Sequence, residues 1–321
     1  MKKTLLVGAL VGALVGSSTE PLTLSLRAQP LTPENFQSLE MAQAEMAAPE
    51  VILLDAGAQP RQELRFTPVP DTKQTITISM EMDMTLSVAG QEMPADSPGN
   101  AMTFELTVID VADNGDIEYE LYCTEVEVLG GDPEVRDAIE AQLQTFVGTG
   151  GNFTIDNRGQ VRSANMDLPA GAAPELQQIF EQLTSSFEQL STPLPQEAVG
   201  VGAQWNIVQA INVTEIDLTQ NVTYELIGLD NNVATFDVTV EQYAEAQPIV
   251  TPGLPPGVTT TLDSMSSQGV GQMTMQFDRL MPVRSNLSMQ TNSVTSVREA
   301  GTAEETVVNS TMVMQMDVES Q

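Results

Sequence analysis

The chain has no histidine and a single cysteine, Cys123. Without imidazole, the usual general base at neutral pH and the commonest metal ligand are both missing. A lone thiol cannot close a disulfide within the chain. Positive charge is scarce as well: Lys+Arg number 12 against 44 Asp+Glu, the formal net charge is −32, and the lysines are Lys2, Lys3 and Lys73. Such a chain has little with which to neutralise phosphates, which excludes nucleic acid as a partner and removes any simple attraction to anionic headgroups. No serine sits in a nucleophile elbow and no glycine-rich phosphate loop is present. The expectation is a protein that is not an enzyme and has no cofactor.

Aromatic residues are 4% of the chain, with Trp205 the one tryptophan, while methionines number 17. Hydrophobic residues at 41% of 321 positions still suffice for a sizeable core. That core must be aliphatic and soft.

The start of the chain carries Lys2 and Lys3 followed by an apolar run from Leu5 to Gly16, the pattern of a secretory signal. The run is too short to span a bilayer and nothing later is longer, so no transmembrane anchor is expected. Cleavage suits Ser17, Ala28 or the pair Ala42 and Ala44; Ala28 gives a signal over 1–28. The mature protein is then exported, soluble, and periplasmic or extracellular. Residues 29–59 are rich in Ala, Glu, Gln, Met and Pro and read as a leader segment ahead of a single β-rich domain over 60–321.

Ile76, Ile78, Met80, Met82, Met84, Leu86 and Val88 fall at every second position, with polar residues between them. This is the period of a strand with one buried and one wet face. Met102, Phe104, Leu106 and Val108 alternate likewise, Asp113-Asn114-Gly115-Asp116 has hairpin-turn chemistry, and a return strand runs from Ile117 to Val128. Asp132-Pro133 opens a helix with Val135, Ile139, Leu143 and Phe146 as its stripe. A hairpin follows about residues 157–159. A second helix over 172–192 shows Leu176, Ile179, Phe180, Leu183, Phe187 and Leu190 at helical spacing. The order then returns, with strands at Trp205–Val213, Val222–Leu226, Ala234–Val240, Met273–Phe277 and Val283–Met289, an exposed loop over 248–268, and a closing strand through Met312, Met314, Met316 and Val318.

Asp156-x4-Val161-Arg162-Ser163 recurs as Asp278-x4-Val283-Arg284-Ser285, which suggests two pseudo-repeats, 60–168 and 196–321, joined by the 172–192 helix. Chance matching of half-buried strands is the competing explanation. The fold class is α+β, mainly β: an antiparallel twisted sheet or half-barrel from two similar β halves, packed on a few helices.

Strand carboxylates such as Glu105, Glu118, Glu120, Asp237 and Glu241 alternate with core positions and read as a solvated face. Asp110, Asp113, Asn114, Asp116 and Glu118 offer oxygen ligands to calcium, but not at EF-hand spacing, and a plain hairpin accounts for them. Cys123 reads as a buried thiol, with an intermolecular disulfide as the alternative. The Asn-x-Ser/Thr triplets at Asn152, Asn212, Asn221, Asn286 and Asn309 are expected to stay bare behind so bacterial a signal.

The methionines are the most suggestive feature. Met80, Met82 and Met84 share one strand face, Met273 and Met275 a second, and Met312, Met314 and Met316 a third. If these converge with Phe180 and Phe187 of the second helix, they line an interior able to repack around a lipid or other apolar small molecule. Thioethers that merely fill a core, or that hold copper(I), are the alternatives. A structural or protein-interaction module of the envelope or cell surface is the competing functional reading, with an envelope protein as partner.

Leu194-Pro195, Val199-Gly200-Val201-Gly202 and Trp205, together with the Gly57-to-Phe66 lead-in, resemble a family of exported bacterial proteins known only as a domain of unknown function. The likeness spans roughly residues 50–300, and its motifs are structural punctuation that implies no chemistry. More loosely, long antiparallel strands over a few helices look like the half-barrel of periplasmic lipoprotein carriers, a likeness of architecture alone.

Overall fold

The structure, a computed structural model, describes residues 50–95, 97–167, 193–213, 216–249, 258–299 and 305–321. The signal, most of the leader, and the 172–192 helix with Phe180 and Phe187 lie outside the described residues. The protein is mainly β, built on a large antiparallel sheet.

Its strands are β1 (Glu50–Asp55), β2 (Lys73–Val88), β3 (Gln91–Pro94), β4 (Ser97–Val111), β5 (Ile117–Leu129), β6 (Gly150–Ile155), β7 (Val161–Asp167), β8 (Gln204–Val213), β9 (Ile216–Asp230), β10 (Val233–Ala244), β11 (Gln247–Ile249), β12 (Val258–Gln276), β13 (Arg284–Glu299) and β14 (Glu305–Ser320). One α-helix is found among the described residues, α1 (Pro133–Leu143). Leu143 and Phe146 at its end lie against the core, whereas Val135 of the expected stripe is exposed.

The sheet order is β1-β8-β9-β10-β12-β13-β14-β2-β4-β5-β6-β7, with β3 and β11 added at the margins. One arm is thus a meander from β2 to β7 and the other a meander from β8 to β13. The strand expected to close the sheet does something more specific. β14 lies between β13 and β2 and joins the arms through Met316↔Met80, Met314↔Met82 and Met312↔Met84.

Two segments differ from the sequence reading. Residues 50–55, placed in the leader, pair with β8 as an edge strand, and Val51 and Leu53 face the core. Residues 258–268, read as part of a loop, begin the 19-residue β12, because Thr and Ser occupy positions that a Val or Ile would make obvious.

The sheet curls, and glycines let it. A Cβ on Gly271 of β12 would fall on the Asn286 carbonyl of β13, and one on Gly150 of β6 on the Leu121 carbonyl, so the strands approach closely at these bends. On β5 the inward set changes from Ile117, Tyr119, Leu121 and Cys123 to Val126 and Val128 across a register shift, a bulge that bends the strand. The arms then share one core: Phe104, Leu121 and Phe153 belong to the same buried cluster as Trp205, Phe236 and Met275.

The lead-in over 56–67 ties the ends together. Gln62 and Val199 exchange both backbone hydrogen bonds, at 3.0 and 2.9 Å. Phe66 N–H donates to Asn157 at 2.8 Å and Thr67 N–H to Phe277 at 2.7 Å. This is the physical content of the glycine motif. Gly57, at φ +72, sits so close to Gly200 that a Cβ on either would strike the neighbouring backbone, the Gly200 carbonyl in one case and the Ala58 carbonyl in the other. Leu194, Val199 and Trp205 are fully buried beside this crossing.

Candidate functional site

Alternation along the strands sends one face inward, and antiparallel pairing stacks those inward residues into rows across the sheet. One row reads Val238, Gly271, Leu287, Met316, Met80 and Asn100. The next reads Val240, Gly269, Met289, Met314 and Met82. Side chains are absent at both glycines, and the unbranched thioethers do not reach across the curl. A cavity of about 400 Å³ remains between the arms.

Seven methionines wall it: Met80, Met102, Met273, Met281, Met289, Met314 and Met316. Ile76, Ile78, Val222, Val240, Leu287 and Val318 complete the apolar surface. Its size falls within the ~300–1,000 Å³ of ordinary ligand pockets.

The floor is aromatic. Tyr224 lines the cavity and stacks on Trp205, with ring centroids 5.6 Å apart and planes at 17°; Trp205 meets Phe236 edge-on at 5.5 Å and 82°. Phe66 and Phe277 meet edge-on at 5.9 Å within the same buried cluster. Gln74, nearly fully buried, accepts from Leu280 N–H at 2.9 Å and from Met281 N–H at 3.4 Å, which fixes the turn that carries Met281.

At the other end the inward row turns polar. Gln220, Gln242, Ser267 and Thr291 are neighbours across β9, β10, β12 and β13. The Gln242 amide donates to Gln220 Oε1 at 2.6 Å, and the Ser267 and Thr291 hydroxyls are 2.8 Å apart. Gln220 is 8% exposed although it occupies a core-facing position. Gln220, Gln242, Asn100 and Ser285 all line the cavity, and none of the described lining residues is charged.

Of the residues singled out in the sequence, Met80, Met273, Met314 and Met316 line this cavity. Met82 lies opposite Met314 without reaching the wall, and Met312 pairs with Met84 one row further on. Met84 packs instead with Leu86, Val297 and Val308 in a separate small cluster, and Met275 is buried in the solid core below. Phe180 and Phe187 lie outside the described residues. Sequence reasoning left out Met102, Met281, Met289 and the polar row. The signal for that row was a glutamine, serine or threonine standing where the period calls for an apolar side chain.

Elsewhere, Cys123 is buried, and burial pushes its thiol pKa up while a contact with the Glu125 carbonyl pulls weakly the other way. Burial also raises the Tyr119 phenol, which stacks on Phe153 at 5.4 Å. Asp156 is nearly buried at the β6–β7 turn. It accepts from the Arg158 and Gln160 amides at 2.9 and 3.0 Å and from Arg158 and Arg162 side chains at 3.3 and 3.0 Å. Asn114 donates to Asp116 at 2.7 Å across the Gly115 turn, where φ is +89, so these oxygens serve the hairpin. Among the described residues no three His, Cys, Asp or Glu are grouped to hold a metal, and no helix is long and apolar enough to cross a membrane.

The model of a family of unknown function, DUF6263, matches residues 175–281, a stretch that includes the 194–205 segment, β9 and β10. No curated protein matches the chain. Among solved structures, OmpT, an outer membrane protein of Vibrio cholerae, is 4% identical, with 77% of this chain and 100% of that one covered, at a TM-score of 0.17. OpdO of Pseudomonas aeruginosa is 6% identical, with 79% and 98% covered, at 0.19. At such scores neither likeness bears on fold or function.

Proposed function

We propose that this is an exported, non-catalytic protein that holds a lipid or another apolar molecule between the arms of its sheet, as a carrier or sensor. The observation that carries the reading is the cavity of about 400 Å³ walled by seven thioethers and a set of aliphatic side chains. Methionine side chains are flexible and polarizable, so such a wall adapts to a bound chain as a rigid one does not. The outward faces support an occupant inside rather than a membrane outside. Glu81, Asp83, Ser288, Gln290, Gln315 and Asp317 are exposed on the opposite face of the same central strands, where hydrocarbon-facing strands would need an apolar band.

Native mass spectrometry of protein purified without detergent tests this. Adducts of lipid mass, lost on organic extraction, are the expected result. A bare mass at every charge state overturns it, and a copper adduct reassigns the thioethers to a soft metal. Cell fractionation checks export.

A second reading, an envelope or cell-surface interaction module, has one observation in its favour. The edge strand β1, paired only with β8 among the described residues, leaves Leu54 57% exposed and Ile52 39% exposed. A pull-down from envelope extract that recovers one stoichiometric protein, beside an empty lipid extract, would favour it.

A further inference from the structure

We infer that the cavity selects a single-chain amphiphile whose polar end is uncharged and hydrogen-bonding, such as an alcohol, with that end held by the Gln220–Gln242 amide pair and the chain lying among the methionines. The inference rests on the ligand-binding reading above and goes further by naming the headgroup chemistry.

Three observations carry it. First, the described lining residues offer amides and hydroxyls but no ionised group. A carboxylate or ammonium taken into such a wall would lose its hydration without meeting a countercharge. Second, the chain as a whole carries −32, which adds long-range repulsion against any anion approaching the mouth. Third, the amide pair is incompletely used. Each primary amide has two N–H donors and a carbonyl acceptor. The single bond from Gln242 Nε2 to Gln220 Oε1 leaves the Gln242 carbonyl and the Gln220 NH2 with no other hydrogen bond among the described residues. If the two amides are turned about, the same set of free groups results. Gln220 is more than nine-tenths buried, and both glutamines line the cavity. A hydroxyl, which both donates and accepts, satisfies both at once.

The geometry also supplies the probe. Trp205 is the chain's one tryptophan, and a single ring, Tyr224, stands between it and the cavity. A bromine at the tail of a bound chain therefore quenches its emission. The test uses ω-bromoundecanol and ω-bromoundecanoic acid, equal in chain length, titrated into the full-length mature protein.

At pH about 8 the alcohol should quench at a concentration at least about tenfold lower than the acid. As the pH is lowered to about 4.5, the fraction of neutral acid rises and its curve should move toward that of the alcohol, which itself stays put. If the acid binds at pH about 8 as tightly as the alcohol, the headgroup inference is overturned while the ligand-binding reading stands. If neither quenches, both fall.

Discussion

The two ends of the interior follow the same inward alternation, yet one is solid and the other hollow. At the solid end Trp205, Tyr224 and Phe236 of β8, β9 and β10 meet as flat rings, with Phe66 and Phe277 paired beside them, at 5.5 to 5.9 Å. At the hollow end β2, β12, β13 and β14 present Met80, Gly271, Gly269, Met289, Met314 and Met316, and about 400 Å³ stays open. Five of the chain's scarce aromatic residues meet at the solid end. At the hollow end the chain uses thioethers and glycines, which neither fill the gap nor fix its shape.

This contrast can be broken in several ways. The largest effect belongs to the floor. Phe236→Ala should cost about 3–5 kcal/mol in urea unfolding, the usual loss for a ring in a dense core. Met314→Ala, in the wall of an existing cavity, should cost about 1 kcal/mol or less, because few contacts are lost there. Equal costs for the two would mean that the upper part is as well filled as the floor.

Next comes the crossing that holds the floor in place. Gly57→Ala puts a Cβ on the Gly200 carbonyl at a positive φ, and should destabilise by about 2 kcal/mol or more. A smaller effect on stability, but a decisive one on binding, is expected from Met289→Phe. Filling the hollow with a ring should leave the unfolding midpoint within about 1 kcal/mol of the parent and abolish lipid adducts. The smallest change is chemical. Burial raises the Cys123 pKa, so at pH about 8 it is less ionised than a free thiol and labelling by a disulfide reagent should await unfolding.

Sequence reading recovered the faces of the strands better than their depth. The alternation through Ile76 and Val88 marks β2 and tells which residues point inward. It cannot tell that Met80 reaches the cavity while Met84, two rows on, joins Leu86 and Val308. That distinction depends on how the distant strands close over each level of β2, which no local pattern of residues states. The edge strand β1 was hidden because Val51-Ile52-Leu53-Leu54 is apolar without alternation. The start of β12 was hidden by threonines and serines. The Gln220–Gln242 pair went unread because a glutamine in a strand normally signals the wet face, and only pairing with its neighbour makes it tolerable inside.

The position of β14 has a consequence for how the molecule comes to exist. Met80 of β2 must wait for Met316, made long after it, and β13 waits for the same strand. Until β14 is synthesised, each arm has an open flank, and among the described residues only β1 and the lead-in over 56–67 tie them. Joining the central strands is therefore a late event with partners far apart along the chain, which makes it slow. A polypeptide whose middle strands find their partners only at the last strand keeps its two central flanks open until synthesis is nearly done.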